Sequence, residues 1–114
     1  MFNLYLENDS LSEVSYEPQE LATYAIEDFS QFISQSLNPA QATSRVLVEY
    51  RRQLKSEKMR IVIYLALFVC GNKYEYQRED IVEELQQFIG HSALNELSQS
   101  KNAEYSMTQL ASLV

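Results

Sequence analysis

The chain predicts an all-α, or mainly α, single domain over residues 1–114, a small bundle of four to six helices. Three observations carry this expectation. Only two Gly (Gly71, Gly90) and two Pro (Pro18, Pro39) occur in 114 residues, too few for the tight turns of a β-sandwich or barrel. Apolar residues recur at three- and four-residue steps over most of the chain, which is the helical period. Helix-start signals recur as well, at Pro18, Asn38-Pro39-Ala40-Gln41, Ser56, Ser92 and Ser106-Met-Thr-Gln109. Each places a capping residue or a first-turn Pro where orphaned backbone N–H groups need it.

The first eight residues alternate loosely, with Phe2, Leu4 and Leu6 against Asn3, Tyr5 and Glu7. That pattern suits a short strand in a hairpin, with Glu13 to Tyr16 or Lys73 to Tyr76 as its mate and Asn8 to Ser12 as a turn. From Pro18, the residues Ala22, Ile26, Phe29, Ile33 and Leu37 form one helical stripe. Asn38 and Pro39 stop it and start the next helix. Between Pro39 and Cys70, the stripe Leu47, Tyr50, Leu54, Ile61, Tyr64 and Phe68 lacks one member, at Glu57. One long helix fits the stripe; two helices broken near Ser56-Glu57 fit a small domain better. Ile61 to Cys70 is apolar all round and predicts the central element, with a buried strand as the alternative to a helix. Gly71-Asn72 is read as its end. Arg78 to Ile89 predicts an amphipathic helix with Ile81, Val82, Leu85, Phe88 and Ile89 inward, closed by Gly90. A short helix carrying Leu94 and Leu97 follows. Ser98 to Glu104 reads as a loop, and a last helix holds Met107, Leu110 and Leu113.

Charge is segregated along the chain. Residues 1–44 hold seven acidic side chains (Glu7, Asp9, Glu13, Glu17, Glu20, Glu27, Asp28) and no Lys or Arg. Residues 45–60 hold Arg45, Arg51, Arg52, Lys55, Lys58 and Arg60 against Glu49 and Glu57, and the remainder is acidic again, for a net charge of −7. Cys70 is the single cysteine, so no intrachain disulfide forms and a reducing, cytoplasmic setting is expected. The start has no basic n-region and does not read as a signal peptide. The apolar run Ile61 to Cys70 is about half of what a bilayer-spanning helix needs.

Little catalytic equipment is present. Cys70 and His91 are the only thiol and imidazole, against the four ligands or so of a structural zinc site. Glu79-Asp80 and Glu83-Glu84 read as a solvated helical face, with no glycine-containing loop to make a calcium or magnesium site. Cys70 lies in apolar sequence, where a thiol is inert, and His91 follows a helix-ending Gly. No Gly-rich phosphate loop exists. The expectation is a non-enzyme without metal or cofactor.

Nucleic-acid binding would need the basic stretch 45–60. The segment Ile81 to Ser100 has a helix-turn-helix outline, but its second helix carries Glu96 and no basic residue, which argues against DNA. Eight Tyr and no Trp are present, and Tyr5, Tyr16, Tyr74, Tyr76 and Tyr105 fall in expected loops or edges. Tyr is enriched at interface centres, and carboxylates steer basic partners. The expected partner-binding residues are Glu17, Glu20, Glu27 and Asp28 on the first helix, with Tyr74, Glu75, Tyr76, Glu79, Asp80, Glu83 and Glu84. The nearest analogy is one of kind, to small acidic immunity proteins and antitoxins that block basic toxins such as nucleases. The leading expectation is therefore an acidic inhibitor of a basic protein. The alternatives are a regulatory protein using 45–60 on nucleic acid or an acidic protein, and a homo-oligomeric subunit pairing through Ile61 to Cys70.

Overall fold

The computed structural model describes residues 16–99, and these are 82% helical. Four α-helices follow in order: α1 (Pro18–Ser34), α2 (Pro39–Glu49), α3 (Glu57–Lys73) and α4 (Glu79–Gln99), with a single 3₁₀ turn at Gln53–Lys55. The expected N-terminal strand and the last helix around Met107 lie outside the described residues. Lys73 to Tyr76, one candidate mate for that strand, is instead the end of α3 and a turn.

Local chemistry sets the helix ends. Pro18 opens α1, and the Glu17 N–H donates to Glu20 Oε1 at 3.2 Å. At its other end, Ser36 takes a left-handed φ of 75°. The Ser36 N–H then reaches the Ile33 carbonyl and the Leu37 N–H the Phe32 carbonyl, a Schellman closure that satisfies two terminal carbonyls. Asn38 and Gln41 cap α2 reciprocally, at 2.8 and 3.0 Å. The helix stops at Glu49, and the chain turns through Gln53–Lys55 before Ser56 Oγ accepts the Met59 N–H to start α3. The break expected near Ser56 is present, and the basic stretch 45–60 is consequently not one helix.

α3 is the centre. Every residue from Ile61 to Gly71 is buried except the half-buried Tyr64, as a helix apolar on all sides must be. It is a helix and not a strand, since α1 and α4 both pack along it and none of the described residues forms a strand to pair with it. The core is completed by Leu21, Ala25 and Phe29 of α1, Ala42 and Val46 of α2, and Ile81, Leu85, Leu94 and Leu97 of α4. With the surface of Ile61 to Cys70 covered inside the chain, that run offers no face for pairing with a second copy.

Three expectations change. Gly71 does not end α3, which runs on to Lys73. A Cβ at Gly71 would collide with the Tyr76 carbonyl oxygen, whose own residue donates its N–H to the Gly71 carbonyl at 3.0 Å; glycine is there for close backbone approach. Phe88 is exposed, not inward. It sits one turn beyond Glu84, and Glu84 already pairs with Arg60 in the first turn of α3, so little of α3 remains to cover it. Helical backbone also continues past Ser98 to Gln99, where a loop is expected, because Leu94 and Leu97 are buried and hold this stretch on the core.

α4 reverses direction at Gly90, whose φ of 86° and ψ of 165° suit glycine alone. Two bonds show the reversal. Glu84 meets Arg60 near the start of α3, and the Leu97 carbonyl accepts from Asn72 Nδ2 near its end. Those α3 residues stand about 18 Å apart along the helix axis, so the second arm of α4 runs back alongside the first.

Candidate functional site

The fold divides the expected binding residues into those it engages and those it leaves to solvent. On α1, Glu20 closes the helix start and Glu17 is the N-cap. Glu27 is exposed and has no partner among the described residues. Asp28 is half-buried and accepts a 2.5 Å hydrogen bond from the Tyr50 hydroxyl at the end of α2. Burial, then that hydrogen bond, push the Tyr50 hydroxyl well above its ordinary pKa. Asp28 thus holds α1 to α2 and is not a free surface charge.

The second group lies on the loop after α3 and the first arm of α4. Tyr74 is exposed, with its ring 6.0 Å from that of Phe29 on α1 and the Lys73 ammonium 5.9 Å above it. Glu75 is exposed and takes a left-handed φ of 55° to turn the chain. Tyr76 is half-buried over Gly71. Arg78 Nε lies 2.9 Å from Asp80 Oδ1, which also accepts the Ile81 N–H. Arg60 Nε donates to Glu84 Oε2 at 2.6 Å, and this bond raises the Arg60 pKa. Tyr64 stands beside these two ion pairs; burial and the charges of Glu84 and Asp80 raise its pKa. Glu75, Glu79 and Glu83 remain, exposed and unpaired among the described residues. α1 and α4 each pack on α3 and meet each other at most marginally. Their carboxylates therefore form two separate surfaces, with Tyr74 reaching between them.

Two side chains of the basic stretch are turned onto the backbone. Arg51 Nη1 donates to the Val48 carbonyl at the end of α2, and Arg60 Nη1 to the Leu54 carbonyl of the 3₁₀ turn. Both place positive charge at a negative helix end. Arg45 lies 5.0 Å over the Phe32 ring. Arg60 also bonds a carboxylate of an acidic helix, that of Glu84. Lys55 and Lys58 stay exposed.

Cys70 is buried, and desolvation pushes its thiol up to about 12. Among the described residues no three of His, Cys, Asp and Glu gather as metal ligands, and no helix is long and apolar enough to cross a membrane. What composition did not reveal is a hollow of about 580 Å³ floored by Phe68, Val82 and Leu94 in the bend of α4. The helix stop expected at Gly90 is present, and the hollow depends on how the two arms are set about it.

No protein-family model matches the chain, and neither a curated protein nor a solved structure is significantly similar to it.

Proposed function

We propose that this protein binds a basic protein and neutralises it by covering its working surface, in the manner of an immunity protein or antitoxin directed at a cationic toxin such as a nuclease. The observation that carries the reading is the set Glu75, Glu79 and Glu83, exposed and unpaired among the described residues, with the exposed Tyr74 adjoining Glu75 in the chain. Carboxylates so placed raise the encounter rate with a cation, and a neighbouring Tyr supplies contact area at low entropic cost. The action is steric and electrostatic, with no bond made or broken. A lone buried thiol suits a reducing, cytoplasmic setting. Asp28, Asp80 and Glu84, engaged within the fold, are secondary to it.

Affinity capture from the cells that encode the chain tests this, comparing the wild type with the triple reversal Glu75→Lys, Glu79→Lys and Glu83→Lys. The expected result is a cationic protein retained by the wild type, released by added salt and lost in the variant. An unchanged set of retained proteins would remove this face from the function. Lys55 and Lys58, exposed beside Arg51 at the α2–α3 corner, favour the second reading, in which the corner binds nucleic acid. Titration with random duplex at low salt separates the two: tight binding with a steep salt slope supports the corner.

A further inference from the structure

The two arms of α4 and the face of α3 beneath them form an open depression of about 580 Å³. Its floor is Phe68, Val82 and Leu94, and Gln86, His91 and Ser92 stand at its edge. Among the described residues no Asp, Glu, Lys or Arg lines it, although the chain carries −7 overall. Among the described residues the unpaired charge beside it is acidic. Glu79 lies three residues before Val82, and Glu83 three before Gln86, so both occupy the strip beside the lining of the first arm. On the second arm Glu96 lies four residues after Ser92. All three are exposed and have no partner among the described residues. The nearby Arg78 is already engaged with Asp80.

An uncharged apolar socket rimmed by free carboxylates on both sides matches one kind of occupant. We propose that the bend of α4 receives an apolar anchor side chain, Leu or aromatic, from a partner segment whose neighbouring residues are Lys or Arg. This rests on the basic-partner reading above and names how that partner is held. The rim carboxylates accelerate encounter and meet the flanking cations, and the socket removes the anchor from water. Buried apolar anchors at the centre of an interface carry most of its affinity, and charges at its rim set rate and salt dependence. Gly90 creates the socket, since its backbone geometry brings His91 and Ser92 of the second arm opposite Gln86 of the first.

The probe is a fluorescently labelled, lysine-rich amphipathic peptide with a single Trp anchor, beside the same peptide with Ala at that position, titrated by anisotropy against the full chain. The anchored peptide should bind about tenfold tighter than the Ala peptide, the worth of one buried anchor. Ser92→Trp, which fills the socket from its exposed edge, should abolish that difference and leave the Ala peptide unaffected; Gln86→Trp serves the same purpose if the first variant does not fold. The triple variant Glu79→Gln, Glu83→Gln, Glu96→Gln should weaken both peptides and flatten their salt dependence. Equal binding of the two peptides overturns the socket while leaving the acidic face intact, and so does an anchor advantage that survives both filling variants. Failure of both peptides to bind at low salt overturns the acidic-face reading and the socket together.

Discussion

The α1–α2 half of the molecule and the α4 hairpin have similar acidic compositions but use their carboxylates differently. In the first, Asp28 is half-buried against Tyr50, Glu20 closes a helix start, Arg51 is turned onto a backbone carbonyl, and Glu27 is left exposed. In the second, Glu84 and Asp80 are paired, yet Glu79, Glu83 and Glu96 face water on either side of an uncharged hollow. Negative charge counted along a sequence therefore overstates the surface on offer. What a carboxylate can do for a partner depends on whether the fold has already given it one.

The strongest way to break this contrast is to remove neighbours on α1. Asp28→Ala leaves the Tyr50 hydroxyl buried without its acceptor and should cost about 1–3 kcal/mol. Glu27→Ala, one residue earlier and exposed, should change stability by less than about 0.5 kcal/mol. Urea denaturation of both variants measures the difference. Equal losses would mean that Asp28 is no more engaged than Glu27.

Some of this was legible in the sequence and some was not, and the division follows sequence distance. The starts at Pro18, Asn38 and Ser56 depend on residues within one turn of each other, so residue type alone predicts them. That Ile61 to Cys70 is the central buried element was equally plain from its apolar run, although the run left helix or strand open. The bonds Asp28–Tyr50 and Arg60–Glu84 join residues 22 and 24 positions apart, and no local pattern marks them. Gly71 and Gly90 make the same point in reverse. Both read as helix stops; Gly90 is one, whereas Gly71 lies inside α3, where the Tyr76 carbonyl leaves no room for a Cβ. The surface carboxylates could be named beforehand; which of them stayed free could not.

An effect of intermediate size comes through pH. Tyr50's folded pKa lies above its ordinary 10.0, so the folded state keeps a proton that the unfolded state releases. The stabilisation is complete below pH 10 and declines above it, by up to about 1.4 kcal/mol per pH unit. Cys70 and Tyr64 are raised as well, but both are unchanged in Tyr50→Phe. Stability of the wild type should accordingly fall more steeply than that of Tyr50→Phe between pH 10 and 11. Parallel curves from denaturant melts would place the Tyr50 hydroxyl in water.

The smallest effect gives the sharpest test, because it asks whether a free carboxylate is retained at a cost. Ser36 and Glu75 are the non-glycine residues with positive φ among those described, one after α1 and one after α3. A left-handed conformation with a Cβ is disfavoured, whereas glycine tolerates it and gives back part of the gain as entropy. Glu75→Gly should therefore raise stability by about 0.5 kcal/mol, read as a higher urea midpoint at unchanged slope. Ser36→Gly should give a similar gain and serves as the control for backbone relief alone. The same Glu75→Gly variant should associate more slowly with a basic partner, whereas Ser36→Gly should not. A loss of stability in Glu75→Gly would instead place this carboxylate with Asp28 and Glu84, among the charges the fold employs, and would leave the acidic face to Glu79, Glu83 and Glu96.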